Sequence, residues 1–246
     1  MCPAIHALIP PGVATWVDLF CGSAIVTLSK PRHPREVIND RNGDVINLFE
    51  VLRSPRLPDL LAAIDLTPYA EDLLYRAYDV AAPEDPVEKA LHFLIRSWFG
   101  RGGDAHKTGF RWSKNMTVSP ERGWARLPHR LAEVADRLRG VCIRSGDALR
   151  VLDDYDTPEC LIFVDPPYPG PVGRRYAVRM TAADHEALAD RLSRAAARVI
   201  LTMNPDTVYG SVLREWQATP VLVQGGGNAV KGEMIYTNFM AEGRLL

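Results

Sequence analysis

The chain has 246 residues, 47% of them hydrophobic, and a formal net charge of −1, which is enough for one α/β domain of ordinary size with an insertion and a core that needs no staples. No apolar run approaches the ~18 to 20 residues of a membrane span, and Met1 to His6 lacks the charged and apolar blocks of a secretory signal, so a cytoplasmic protein with no membrane partner is expected. The four cysteines, Cys2, Cys21, Cys142 and Cys160, form no Cys-x-x-Cys pair and the six histidines are scattered, which speaks against a disulfide framework and against a bound metal.

Thr15 to Phe20 reads as a buried strand that ends in a small-residue turn, Cys21 to Ala24, before a helical stretch from Ile25 to Ser29. Strand, turn and helix in that order make the first unit of a nucleotide-binding α/β sheet. A second unit follows, with a short β-branched strand from Glu36 to Asp40 and helical apolar spacing from Val45 to Leu52 after Asn42-Gly43.

From Pro55 to about Gly140 the periodicity is helical, over Leu60 to Ile64, Asp72 to Tyr78, Val87 to Trp98 and Leu131 to Leu138. Its centre, Gly100 to Lys114, is glycine-rich, basic and aromatic, and is expected to be a flexible loop rather than core. Charge is segregated as well: between Arg96 and Arg139 the bases Arg96, Arg101, Lys107, Arg111, Lys114, Arg122, Arg126, Arg130, Arg137 and Arg139 face only Asp104, Glu121, Glu133 and Asp136. This is either a polyanion footprint inside a neutral protein or the solvated face of a helical region.

Strands resume at Val141 to Arg144, ending near Asp147, at Cys160 to Val164, ending at Asp165, and at Arg198 to Thr202, ending near Asn204. Thr219 to Gln224 and Glu233 to Met240 read as a closing pair, with helices from Ala182 to Ala197 and from Thr207 to Trp216 between the strands. The alternation implies a mostly parallel sheet covered on both faces, with an antiparallel pair at its end.

Ligands of an open α/β sheet bind beyond the carboxyl ends of its strands. Asp18 leads into the first turn, and Asp40, Asp147 and Asp165 sit at strand ends. Gly22 lets a ligand approach the backbone closely. Asp40 is placed either to accept from ribose hydroxyls or to close an Asx-turn with Asn42-Gly43. Asp147 either accepts from an adenine amine or caps the next helix. The sharpest feature is Asp165-Pro166-Pro167-Tyr168 directly after an apolar strand. Two prolines stiffen the turn and remove two N–H donors, so its carbonyls are held with a fixed aim. An amine on an aromatic ring is a poor nucleophile because its lone pair is delocalised. Two acceptors gripping its hydrogens, Asp165 and the Pro166 carbonyl, would favour the pyramidal form that attacks, and Tyr168 would stack on an extracted base.

These residues resemble the Dam-type, alpha-group adenine-N6 DNA methyltransferases. Asp18-Leu19-Phe20-Cys21-Gly22-Ser23-Ala24 is similar to the family's cofactor loop, Ile38 to Asp44 to its second motif, and Asp165 to Tyr168 to its catalytic motif. Thr202 to Asp206 is similar to its Ser-Asn-x-Asp segment, and Glu233 to Phe239 to its final strand. The likeness covers nearly the whole chain and implies a Rossmann-like class I methyltransferase fold that uses S-adenosyl-L-methionine to methylate N6 of a flipped adenine in double-stranded DNA. It implies Asp165, Pro166 and Tyr168 as catalytic, Asp18, Phe20, Gly22, Asp40, Asp147 and Asp165 as cofactor-binding, and Arg101, Lys107, Arg111, Lys114 and Arg122 as DNA-binding. Residues 1–54 and 140–246 would form the catalytic domain and 55–139 an inserted helical target-recognition region. Two departures stand out. Ala24 replaces a customary glycine, and a Lys-x-Gly-Gly-Lys-like motif ahead of the first strand is absent, so that either it falls just ahead of Met1 or the site is incomplete. Ile5 to Pro11 is similar to the tail of the helix that follows that motif. The catalytic tetrapeptide alone is also compatible with an N4-cytosine methyltransferase, and the absent motif with a cofactor-impaired DNA-binding descendant; a glutamine-modifying enzyme would carry Asn at the place of Asp165. Any partner restriction endonuclease leaves no trace in the sequence.

Overall fold

Seven strands, β1 (Thr15–Asp18), β2 (Arg35–Asn39), β3 (Val141–Arg144), β4 (Cys160–Val164), β5 (Arg198–Met203), β6 (Gln217–Gln224) and β7 (Val230–Thr237), join in the order β3-β2-β1-β4-β5-β7-β6. The first five run parallel, while β7 pairs antiparallel with β5 and with β6. The computed structural model describes residues 1–79, 83–101, 107–114, 119–170, 176–205, 207–224 and 230–240. Asp104, with the rest of 102–106, and Asp206 therefore lie outside the described residues.

The chain forms two compact units, the sheet unit of Met1–Arg41, Gly140–Arg174 and Val178–Leu246, and a helical unit of Asn42–Arg139 with Arg175–Ala177. Apolar runs build the sheet because a central parallel strand is covered on both faces, and every residue of β1 and β4 is buried. Alternate side chains serve opposite faces. Val17, Val37, Ile162, Val164, Val199 and Leu201 share one core with residues of α9 (Ala148–Tyr155), α10 (Ala182–Ser193) and α11 (Val208–Val212). Trp16, Leu161, Phe163, Ile200 and Ile235 share the other with Ile5 of α1 (Cys2–Ala7) and Val26 of α2 (Ile25–Ser29).

In the helical unit, α6 (Pro86–Phe99) packs against α3 (Gly43–Leu52), α4 (Leu57–Asp65) and α5 (Glu71–Asp79), with α7 (Pro120–Ala125) and α8 (Leu127–Arg137) completing the layer. α3 clusters here rather than with the sheet because Val45, Ile46, Phe49 and Leu52 are buried against it and Asp44 pairs with Arg96 of α6 at 2.9 Å. The unit thus begins at Asn42, ahead of the Pro55 start read from the sequence.

Other boundaries move for local reasons. α10 stops at Ser193, short of Ala197, because Asp156 Oδ1 accepts from the Ala197 amide at 2.8 Å and draws the chain out of the helix. α11 spans only Val208–Val212 of the stretch from Thr207 to Trp216, and β6 begins at Gln217. β7 ends at Thr237, three residues before Met240, since the Asn238 side chain leaves the ladder to bind Val199 N and Ala197 O, each at 2.8 Å. The loop from Gly100 to Lys114 is not wholly free either. Gly100 bridges Phe110, and the Phe110 ring packs 5.0 Å from Tyr69 and 6.3 Å from Phe99, so aromatic burial anchors its second half.

At the amino ends of β1 and β2 a buried ion pair joins Lys30 to Glu36. Lys30 Nζ also meets His33 Nδ1 at 2.8 Å and lies 4.9 Å from the centre of the Trp16 ring. Removing one partner strands the other charge, so Lys30→Met is expected to cost about 3 to 5 kcal/mol, whereas the double variant Lys30→Met/Glu36→Leu recovers most of the loss. Urea unfolding of the three chains checks this.

Candidate active site

The sheet order runs outward in both directions from the β1–β4 pair, so the topological switch point lies at their carboxyl ends. In that register Asp18 stands opposite Phe163, and Asp165 follows two residues later. Two of the acids singled out from the sequence are therefore neighbours.

Asp18 is 1% exposed. Trp16 Nε1 donates to Thr27 Oγ1 at 2.8 Å, and Thr27 in turn donates to Asp18 Oδ2 at 2.7 Å. Asp18 Oδ1 is buried with no hydrogen-bond partner among the described residues. Burial above all pushes the Asp18 pKa up to about 7; the Thr27 bond opposes this, and the charges of Asp165 and Asp40 add to it.

The turn after β1 is fastened by its neighbours. Cys21 N donates to Asn39 O at 2.8 Å and Gly22 N to Asp40 Oδ2 at 2.8 Å. Gly22 has φ +48°, which glycine adopts without strain. Ala24 sits at φ 53°, ψ 21°, the left-handed region, where the customary glycine would be at ease and alanine carries a steric cost. Phe20 is half-buried against the core behind the loop. The Asn39 side chain links the two flanking loops, with Nδ2 donating to Leu19 O at 3.0 Å and Oδ1 accepting from Gly146 N at 3.0 Å.

One oxygen of Asp40 is thus engaged in closing the loop, while the turn that starts α3 is capped by Asn42, whose Oδ1 accepts from Asp44 N at 3.0 Å. Asp147 is the cap of α9, its Oδ1 accepting from Leu149 N at 3.0 Å and Arg150 N at 3.4 Å, with Oδ2 lying 3.8 Å from Arg41.

Asp165 is reached by solvent yet closely surrounded by protein. That enclosure raises its pKa to about 6, the charge of Glu233 acts in the same direction, and hydrogen bonds from the Thr202 and Tyr168 hydroxyls oppose it. Pro166 is buried, and Tyr168 is half-buried against the core shared with β4 and β5. Thr27, Asn39 and Thr202 were not singled out as functional in the sequence. The signal available for each was a lone polar side chain in an otherwise apolar strand or first helical turn.

In the helical unit, Arg101, Lys107, Lys114 and Arg122 are exposed and Arg111 is half-buried. Lys107 pairs with Asp79 at 2.8 Å and Arg101 Nε donates to Phe110 O at 3.1 Å. The Lys114 ammonium lies 5.8 Å from the exposed Trp112 ring. Trp98 is flanked by two guanidinium groups, Arg111 at 5.8 Å and Arg130 at 5.6 Å from the ring centre. Among the described residues no group of three or more His, Cys, Asp or Glu is placed to hold a metal, and no helix is long and apolar enough to cross a membrane.

An orphaned buried oxygen makes Asp18 expensive to ionise. Because its folded pKa of about 7 exceeds the ordinary 3.8, the penalty is absent below that lower value, grows between the two and is complete above the upper one. Asp18→Asn is expected to raise the melting temperature by about 5 °C at pH 8, with the gain vanishing near pH 4. Thermal unfolding of both chains across that range checks it.

The family model for D12 class N6 adenine-specific DNA methyltransferases matches residues 1–209. No curated protein matches the chain. Among solved structures it is similar to a conserved hypothetical protein of Streptococcus pyogenes, with 13% identity, 99% of this chain and 98% of that one covered, and a TM-score of 0.39. It is similar also to a protein named as the methyltransferase yhhF of Escherichia coli, with 14% identity, coverages of 96% and 83%, and a TM-score of 0.40. An rRNA methylase of Streptococcus thermophilus gives 10% identity, coverages of 96% and 93%, and a TM-score of 0.36.

Proposed function

This chain belongs to the D12 class N6 adenine-specific DNA methyltransferases, with the Rossmann-like class I methyltransferase fold, and we propose that it methylates a flipped-out adenine with S-adenosylmethionine at the carboxyl ends of β1 and β4, where Asp18 and Asp165 are neighbours. The family is adenine-specific, which sets aside the N4-cytosine reading that the tetrapeptide alone allows.

The observation that carries the proposal is the meeting of the two acids at the switch point, one with an oxygen lacking any partner among the described residues. The charges of Asp165 and Asp40 both raise the cost of charging Asp18 there. Such a set fits a ligand that brings positive charge, as a sulfonium with an ammonium group does. Asp18, Phe20, Gly22 and Asp40 would hold that ligand, with Asp147 at the edge presenting the oxygen its helix cap leaves over. S-adenosylmethionine, when bound, supplies a methyl group activated by its sulfonium leaving group.

The chain's own residues then act on the base. Asp165 and the Pro166 carbonyl accept the two hydrogens of the adenine amine, so that its lone pair leaves conjugation and points at the methyl donor. Tyr168 stacks on the ring and repays part of the unstacking cost of flipping. After transfer the nitrogen carries a positive charge and releases one proton, for which an ionised Asp165 is the nearest acceptor in this reading. Base attack and proton release both favour an ionised carboxylate, and a pKa of about 6 leaves most of it ionised at neutral pH.

Duplex DNA incubated with the protein and S-adenosylmethionine is expected to yield N6-methyladenine on nucleoside digestion. Asp165→Ala is expected to lower the rate by about a thousandfold or more while leaving duplex affinity nearly unchanged. An equally active variant would refute the mechanism, and calorimetric titration showing no S-adenosylmethionine binding would favour a cofactor-impaired DNA-binding descendant.

For DNA, the helical unit presents the target-recognition surface in this reading, with Arg101, Lys107, Arg111, Lys114 and Arg122 meeting phosphates. Five such contacts imply that log K falls against log salt with a slope of about −4 to −5. Arg122→Ala is expected to reduce that slope by about one, and Lys107→Ala by less, because Lys107 gives up its ion pair with Asp79 to reach a phosphate. Filter binding between low and moderate salt measures both; a flat salt response would remove the footprint.

A further inference from the structure

β5 is apolar from Val199 to Met203 apart from Thr202, which is 1% exposed. A valine would pack equally well among its neighbours, so the hydroxyl needs a reason. Val164 of β4 is paired with Leu201, which places Thr202 beside Asp165. The hydroxyl has one hydrogen and two acceptors within reach, Asp165 Oδ1 at 2.7 Å and the Val164 carbonyl at 3.5 Å, and the shorter contact takes it. The donor is a β-branched side chain in the middle of a buried strand, with little rotational freedom of its own. The acceptor is a strand-end carboxylate open to solvent, whose second torsion is otherwise broad.

We propose that Thr202 is a positioning residue for methyl transfer, pinning Asp165 Oδ1 to the sheet so that Oδ2 is presented to the substrate amine in one orientation and in the ionised form. This rests on the reading of Asp165 as the amine acceptor. The bond has a second effect, because a hydrogen bond to the charged form favours it. The charge of Glu233 on β7 works against ionisation and raises the Asp165 pKa. Among the described residues, the hydroxyls of Thr202 and Tyr168 oppose it. A Tyr168 that is to stack on a base is poorly placed to keep its hydroxyl on the same carboxylate, so Thr202 is the donor that persists through the reaction.

The test compares the full chain with Thr202→Val, which keeps shape and removes the hydroxyl, and Thr202→Ser, which keeps the hydroxyl. Two readouts are taken: kcat and KM for duplex DNA as functions of pH, and the carboxyl titration of Asp165 in ligand-free protein by 13C NMR, assigned with Asp165→Asn. The valine variant is expected to lose about tenfold or more in kcat with little change in KM. The acid limb of its rate profile and the Asp165 titration are both expected to rise by about one to two pH units. The serine variant is expected to restore both. If the valine chain does not fold, Thr202→Ala takes its place in both readouts. An Asp165 titration unmoved by loss of the hydroxyl, or a serine variant as impaired as valine, would overturn the proposal. Should the wild-type chain transfer no methyl group, the reading of Asp165 fails on activity, while the titration still decides whether Thr202 holds its carboxylate.

Discussion

Repulsion among carboxylates gathered at the carboxyl ends of β1, β2 and β4 is the constraint to which the rest of the sheet unit is fitted. Asp18, Asp40 and Asp165 stand at the ends of adjacent strands, and the first is driven to a pKa of about 7 by burial and by the other two. Water would screen such a group cheaply, and a carboxylate closely surrounded by protein, as Asp18 is, loses most of that screening. The fold answers with hydroxyls in place of cations. Thr27 donates to Asp18 at 2.7 Å and Thr202 to Asp165 at 2.7 Å, each from a buried position. A hydroxyl orients a carboxylate without neutralising it, whereas a lysine or arginine in the same place would satisfy the site electrostatically and weaken its demand for a cationic ligand. Lys30, a buried cation of the unit, pairs with Glu36 at the opposite ends of the same strands, and its charge eases the ionisation of Asp18 less than the Thr27 bond does.

Rigidity of the loops follows from the same strand ends. Asn39, the last residue of β2, reaches both the Leu19 carbonyl and the Gly146 amide, and the adjacent Asp40 takes the Gly22 amide. Two flanking loops are thereby tied by three bonds to one strand terminus. The left-handed Ala24 adds a steric cost at the entry to α2, and a loop held by so many bonds can carry it. A binding site built on strand ends and crossed by side-chain bonds is set before its ligand arrives, which is the condition under which oriented dipoles lower a barrier instead of merely following the charge.

The sheet was legible in the sequence because parallel strands buried on both faces leave continuous apolar runs, as in Leu161-Ile162-Phe163-Val164, each closed by an acid or a turn. The family was legible in motifs such as Asp165 to Tyr168, because two prolines after such a run have few structural uses. What stayed hidden was whatever depends on pairing between distant segments. A hydroxyl in an apolar strand marks Thr202 as unusual but does not say what it touches, and the β4–β5 register is what sets it beside Asp165. Asp147 shows the converse case, in which a local rule, the helix cap, accounts for one oxygen of a residue that strand-end logic also selects. The early end of α10 likewise depends on Asp156, forty residues away in sequence and invisible to periodicity.

The net charge of −1 conceals two units with opposite needs. The sheet unit gathers acids at its strand ends, where two of them raise the cost of charging a third, Asp18, and the helical unit places two guanidinium groups on the ring of Trp98. Stacking on an indole holds an arginine in place while leaving its N–H groups able to meet an anion, which a salt bridge to a carboxylate would not. Other bases of the unit are paired with carboxylates instead, Lys107 with Asp79 and Arg96 with Asp44. In the proposed reading each unit is electrostatically incomplete in a way that a different ligand would relieve, a small cation for one and a phosphate backbone for the other. A chain that neutralised both internally would be more stable and would have less affinity for either, because a charge already paired in the free protein has less to gain from a ligand.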